Sequence, residues 1–186
     1  STLCHGEGKE RSTSRYLAYQ PQGGLSNQIR DLRAAVAWAL LLNRTLVLPY
    51  LVEHAENLQG QPSNLSSSSL VAFSQVFSAK AVRPLQVIST QQLMVSGLTP
   101  TAIVQLPCTL KVLELADNYF SYLGWNKVPI VNVNVTKGTV TRCATDCEIL
   151  SAFVTNNHTV LAIGSRFTTP CKLPEWINQV AMPSLL

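Results

Sequence analysis

Residues able to bind a ligand are concentrated in the segment Gly23–Gln28, called the glycine turn below. Its glycines let a ligand approach the backbone without obstruction from a Cβ atom, and the amides of Asn27 and Gln28 both donate and accept hydrogen bonds. Arg30 and Arg33 follow within two turns of a predicted helix. These residue types suit a phosphate held at a helix N-terminus. The same pattern also occurs in ordinary turns, and it matches neither common glycine-rich phosphate motif.

The segments on either side of the glycine turn predict a βαβ unit. Tyr16–Tyr19 is a short strand candidate, and apolar residues at helical spacing predict a helix from Ser26, its expected cap, to about Leu42. The apolar run Thr45–Leu48, ended by a proline, is typical of a parallel strand covered on both faces. The glycine turn would then lie at the carboxyl end of the first strand, where open α/β sheets bind ligands.

The later segments predict further alternation of strands and helices, which favours the α/β class with a mainly parallel sheet. Strands are expected at residues 85–88, 103–106, 131–135 and 159–164. Helices are expected at residues 70–77 and 147–154, with a polar loop at 56–69.

Composition excludes several classes of protein. Of 186 residues, 46% are hydrophobic and 13% charged, against about 25% charged in typical soluble chains, so a disordered chain or a coiled coil is excluded. The longest apolar run, Ala34–Leu42, is far short of the roughly 20 residues of a membrane span. The net charge is +4 with scattered basic residues and 7% aromatics, which argues against a nucleic-acid surface.

Cysteines and glycosylation sequons favour the secretory pathway. The five cysteines are Cys4, Cys108, Cys143, Cys147 and Cys171. Only Cys143 and Cys147 are closely spaced. Neither a second close pair of cysteines nor paired histidines accompany them, so we expect disulfides rather than a metal site. The N-x-S/T sequons begin at Asn43, Asn64, Asn134 and Asn157. Such sequons accept glycans only in secreted chains, although a Ser/Thr/Asn-rich sequence also produces them by chance.

Two adjoining motifs resemble a known family. The glycine turn, the Ala-rich helix and the segment Leu41–Pro49 together resemble the amino-terminal signature of the GDP-fucose protein O-fucosyltransferases, and Ala72–Phe77 resembles a later part of it more weakly. The resemblance implies a Rossmann-like domain that forms the amino-terminal half of a GT-B fold. It also implies GDP-fucose as donor, inverting transfer of fucose to a Ser or Thr hydroxyl, and no metal or other cofactor.

The resemblance and the residue chemistry together give a candidate site. The backbone at the glycine turn would contact the donor diphosphate, and Asn27 would contact the donor or the charge that develops at the leaving group. Glu53, which follows the second strand, is the candidate base, with a solvated loop carboxylate as the alternative. The expected donor-binding residues are Gly23, Gly24, Leu25, Asn27 and Arg30, and the expected catalytic residues are Asn27 and Glu53.

The sequence departs from the family in one motif, and this departure indicates a partial sequence. The family's second domain carries a His-x-Arg motif whose arginine contacts the leaving phosphate, and this sequence has none. We therefore expect residues 1–15 to be a loose segment and 16–186 to be the amino-terminal domain alone, with the second, donor-binding domain absent from this chain. The odd number of cysteines and a first residue other than Met agree with a partial sequence that is inactive alone.

Two functions stay open on this basis. The first is half of an enzyme that transfers fucose to a protein or glycan acceptor in the lumen of the endoplasmic reticulum or Golgi. The second is a non-catalytic module of the same fold that binds a glycan or a protein. A hydrolase has no support, because no Gly-x-Ser-x-Gly elbow is present.

Overall fold

The computed structural model describes the chain in separate stretches. The described residues are 14–21, 24–52, 70–78, 82, 85–105, 119–132, 135–137, 140–142 and 157–164. The strands in them are β1 (Tyr16–Tyr19), β2 (Thr45–Leu48), β3 (Tyr50–Val52), β4 (Leu70–Ala72), β5 (Val87–Ser89), β6 (Ile103–Gln105), β7 (Ile130–Asn132), β8 (Val135–Lys137), β9 (Val140–Arg142) and β10 (Val160–Ile163). The helices are α1 (Leu25–Leu41), α2 (Phe73–Val76) and α3 (Thr90–Val95), and residues 119–122 form a further helical turn.

Within these stretches, six strands form one sheet in the order β5-β2-β1-β10-β6-β7. All neighbouring pairs in it are parallel. From β1 the chain moves outward through β2 to β5, whereas from β6 it moves outward to β7 on the other side. The strand order therefore reverses beside β1, and open α/β sheets bind ligands in the crevice at the carboxyl ends of the strands at such a point.

The sheet is covered on both faces, which explains its unalternating apolar strands. Successive side chains of a strand point to opposite faces, and Leu17 of β1 packs with α1 residues such as Val36. Its neighbour Ala18 packs on the other face with Leu93 of α3 and with Phe120. Burying each large apolar side chain contributes about 1.5–3 kcal/mol. The predicted α/β class with a mainly parallel sheet is confirmed.

Helix α1 lies between the glycine turn and β2 and is buried around most of its circumference. Its residues 35–39 are all buried, and Trp38 is in the core, as the sequence predicts. After Leu42 the chain reverses at Asn43, whose φ of 49° is tolerated by asparagine. The amide N–H groups of Asn43 and Arg44 donate to the carbonyls of Leu40 and Ala39, which ends the helix in a Schellman motif.

The start of α1 corrects one prediction. The sequence predicts Ser26 as the cap, but the N-cap residue is Gly24 and Ser26 lies inside the first turn. The carbonyl oxygen of Gly24 accepts from the N–H groups of Asn27 at 2.9 Å and Gln28 at 3.1 Å. The helix therefore begins two residues earlier than predicted, with the carbonyl of Gly24 as its first acceptor.

The segment predicted as a helix at residues 70–77 is half strand. Leu70–Ala72 pairs with β3 in an antiparallel ribbon, with Leu51 opposite Val71, and only Phe73–Val76 is helical. The partner strand, not the local sequence, decides this conformation. The strand expected at 85–88 is shifted to β5, and the one expected at 131–135 overlaps β7 and the first residue of β8. The segments expected as strands at 103–106 and 159–164 contain β6 and β10. The helix expected at 147–154 lies outside the described residues.

Candidate functional site

Helix α1 begins at the end of the glycine turn, with Gly24 as its N-cap residue. Gly24 has φ −68° and ψ 169°, and among the described residues no side chain caps the helix and no acidic residue occupies its first turn. Leu25, Ser26 and Asn27 are exposed, Leu25 by 51%. The first N–H groups of a helix carry about half a positive charge in total. The N-terminus of α1 is therefore suited to an anion such as a phosphate.

Polar and basic side chains line the exposed face of the first turns of α1. Asn27 and Arg30 are both exposed and lie three residues apart, so they share one face of the helix. Arg33 is exposed one turn further on. The structure thus brings together four of the predicted donor-binding residues, and their charge and hydrogen-bonding groups would attract a diphosphate. These four are Gly24, Leu25, Asn27 and Arg30.

The glycine turn lies at the carboxyl edge of the central strands. After β1, the N–H of Gln20 donates to the carbonyl of Ile163 at 3.0 Å, and after β10 the N–H of Gly164 donates to Val104 at 2.8 Å. A Cβ atom on Gly164 would lie 3.1 Å from Cγ2 of Ile103. A side chain at position 164 would be crowded, so the sheet is closely packed where β10 ends.

The side chain of Gln28 is not a free ligand amide, contrary to the sequence-based interpretation. It is buried, with 3% of its surface exposed. Its Nε2 donates to the carbonyl oxygen of Val52 at 2.6 Å, and its Oε1 accepts from the N–H of Val52 at 3.0 Å. The first turn of α1 is therefore joined to the end of β3. Nothing in the local sequence indicates this pairing, because the partners are 24 residues apart.

A second buried polar group holds β3 from the other side of the fold. The hydroxyl of Tyr119 is hydrogen-bonded to the backbone of Tyr50 and to the side chain of Thr90. The hydroxyl of Thr90 donates to the carbonyl of Leu48 at 2.8 Å. Burial is the main cause of a raised pKa for Tyr119. Sequence reasoning missed Tyr119 and Thr90, since neither belongs to a recognisable motif.

Several predicted residues fall outside the described part of the chain. Gly23, Glu53 and all five cysteines are among them. In the part that the structure describes, no group of three or more His, Cys, Asp or Glu side chains is placed to hold a metal ion. No helix there is both long and apolar enough to cross a bilayer.

Solved structures of one glycosyltransferase share this fold. No protein-family model and no curated protein matches the sequence. The chain is similar to POFUT1, a GDP-fucose protein O-fucosyltransferase, in its complex with GDP-fucose, with a TM-score of 0.55, 18% identity and 92% of this chain aligned to 51% of that one. The chain therefore has the fold of about half of that structure.

Two further POFUT1 structures agree with the first. The apo form matches with a TM-score of 0.55 and 16% identity over 90% of this chain and 50% of that one. A complex with GDP matches with a TM-score of 0.54 and 20% identity over 91% of this chain and 50% of that one. The chain therefore spans about half the length of POFUT1, and the likeness is one of fold.

Proposed function

We propose that this chain is the amino-terminal part of a GDP-fucose-dependent O-fucosyltransferase and that the glycine turn holds the donor diphosphate. The observation that carries the proposal is the N-terminus of α1, which has no side-chain cap and no acidic residue in its first turn and follows the carboxyl end of β1, where the strand order reverses. The likeness to POFUT1 structures that contain GDP-fucose and GDP supports the choice of donor.

Each proposed donor contact has a physical reason. The backbone N–H groups of Gly23, Gly24 and Leu25 would donate to diphosphate oxygens, since glycine lets the anion approach closely. Arg30 would add positive charge from the same helix face. The amide of Asn27 would donate to the oxygen that links fucose to the diphosphate, where negative charge develops as the bond breaks.

The proposed reaction is a single displacement at the anomeric carbon of fucose. The oxygen of an acceptor Ser or Thr hydroxyl forms the new bond, the bond to the diphosphate oxygen breaks, and GDP leaves with the electron pair. A base removes the hydroxyl proton, and Glu53 is our candidate because it follows Val52, whose backbone Gln28 binds beside the glycine turn. Neither a metal nor an additional cofactor enters this proposal.

Transfer itself is proposed to need a second domain. The chain spans about half of the POFUT1 structures, and the sequence contains no His-x-Arg motif to supply an arginine at the leaving phosphate. In this proposal residues 16–186 form the amino-terminal domain, and the protein works in the secretory lumen on a protein acceptor.

Calorimetric titration of the purified chain with GDP-fucose tests the proposal. We expect weak but measurable binding that falls at least tenfold, about 1.4 kcal/mol, in Asn27→Ala. Asn126→Ala is the matched control, because Asn126 is also exposed but lies in a turn that leads into the amino end of β7, and it should bind GDP-fucose normally. If the unsubstituted chain binds no GDP-fucose but binds a glycan or a protein, the non-catalytic module is the better description.

A further inference from the structure

Both outward-facing residues of β3 are bound by side chains. In an antiparallel pair, alternate residues direct their backbone groups to opposite edges. Val52 gives its N–H and C=O to Gln28, and Tyr50, two residues earlier, is bonded through its backbone to the hydroxyl of Tyr119. Leu51, between them, faces β4 opposite Val71. Side chains therefore take the place of a neighbouring strand on the outer edge of β3.

Gln28 is the last residue of the glycine turn, and its side chain connects the turn to this edge of β3. Its backbone N–H donates to the carbonyl of Gly24 at 3.1 Å, which closes the first turn of α1. Its side-chain amide is buried and makes both bonds to Val52, so the amide has one donor and one acceptor fixed by the same residue. This side chain thereby joins the first turn of α1 to the last residue of β3.

We propose that Gln28 is a positioning residue that couples occupancy of the glycine turn to the order of β3. The inference rests on the proposed function, since the occupant is the donor diphosphate. A ligand bound to the first N–H groups of α1 restricts the backbone from Gly24 to Gln28, and the two amide bonds then restrict Val52. Coupling between two sites is reciprocal, so a contact that orders β3 also strengthens donor binding.

Hydrogen exchange at the Val52 amide, measured with and without saturating GDP-fucose, tests this coupling. In the unsubstituted chain we expect GDP-fucose to slow exchange at Val52 at least threefold. Gln28→Met keeps a flexible side chain of similar length but removes both bonds. Because the coupling is reciprocal, we expect it to bind GDP-fucose less tightly, and at saturating GDP-fucose Val52 no longer responds. The control is Gln92→Met, since the Gln92 Oε1 accepts from the backbone N–H of Ser89 at the start of α3, and Val52 should respond normally there.

A second variant keeps the test decisive if Gln28→Met does not fold. In Gln28→Glu a carboxylate still accepts from the Val52 N–H but cannot donate to the Val52 carbonyl, whereas a protonated carboxyl group does both. An ordinary glutamate carboxyl has a pKa of about 4.3. After correction for intrinsic exchange rates, the response of Val52 to GDP-fucose should be smaller at pH 7 than at pH 4 in this variant, and equal in the unsubstituted chain.

Hydrogen exchange and calorimetry together separate the coupling from the proposed function. Donor binding without any slowing at Val52, or equal slowing in Gln28→Met, overturns the coupling but leaves the proposed function intact. No donor binding by the unsubstituted chain, read by calorimetry on the same sample, overturns both. A response at Val52 that is lost in Gln28→Met and kept in Gln92→Met supports the coupling.

Discussion

The guanidinium of Arg44 donates a hydrogen bond to the backbone carbonyl of His158 at 2.8 Å. The same nitrogen donates to the carbonyl of Tyr16 at 3.2 Å, so one buried cation joins the chain at the amino ends of β1 and β10. The side chain of His158 is bonded in turn to Thr101 at 2.9 Å, just before β6. Burial and the neighbouring Arg15 lower the pKa of Arg44, although an arginine side chain stays charged in proteins.

Arg44→Met is expected to destabilise the fold without touching the glycine turn. It leaves the carbonyls of Tyr16 and His158 without a charged donor, and each lost hydrogen bond to a charged group costs about 1.5–3 kcal/mol. Because one nitrogen makes both bonds, the two losses are not additive, and urea denaturation should show the free energy of unfolding reduced by about 2–4 kcal/mol. Arg44→Lys keeps the charge but not the planar group, so its loss should be smaller. Ordinary surface substitutions change the free energy of unfolding by less than about 0.5 kcal/mol. A loss that small in Arg44→Met would show that the bonds of Arg44 do not stabilise the fold.

The raised pKa of Tyr119 predicts a loss of stability in alkali. The folded state keeps the hydroxyl protonated, whereas the unfolded chain loses this proton near pH 10. The unfolded state therefore binds fewer protons above that pH, and the free energy of unfolding should fall by about 1.4 kcal/mol per pH unit on account of Tyr119. Below pH 10 the contribution is fully present.

Tyr119→Phe isolates this effect. The variant should be less stable by about 1 kcal/mol at pH 7, because its hydrogen bonds are lost. It should lack the alkaline slope that Tyr119 contributes. Urea denaturation of both chains from pH 7 to 11 should therefore show their stabilities converging as the pH rises. Curves that stay parallel across this range would contradict a buried, protonated hydroxyl at Tyr119.

What the sequence predicts correctly is what local patterns determine. The continuous apolar runs of β1, β2 and β10, and the helical spacing of α1, depend on residues that are close in the chain. The nature of residues 70–72 depends instead on β3 as partner. The same holds for Gln28, whose residue type suggests a ligand amide. Its side-chain amide instead makes both of its hydrogen bonds to the backbone of Val52, which only the fold brings close.

Gly24→Asp should separate the stability of α1 from donor binding. An aspartate at the N-cap accepts from the first N–H groups and adds a negative charge to the helix dipole, which together stabilise a helix by a few tenths to about 1 kcal/mol. That charge would repel a diphosphate. We therefore expect a slightly raised Tm and loss of GDP-fucose binding.

Gly24→Asn is the matched control for charge. Asparagine caps a helix as well as aspartate does but is neutral. If the glycine turn binds the diphosphate, Gly24→Asn should retain more affinity for GDP-fucose than Gly24→Asp, while both should be at least as stable as the unsubstituted chain. Equal affinity in the two variants would indicate that the donor phosphates lie elsewhere.

The position of GDP-fucose on the chain decides whether the glycine turn holds the donor. Backbone amide chemical shifts, followed by NMR during titration of GDP-fucose into the purified chain, locate the ligand residue by residue. We predict saturable shifts at Gly24, Leu25 and Asn27, at the start of α1 and the carboxyl edge of the sheet. Shifts confined to the amino edge, around Asn43 and His158, or no shifts at all, would show that the glycine turn does not hold the donor.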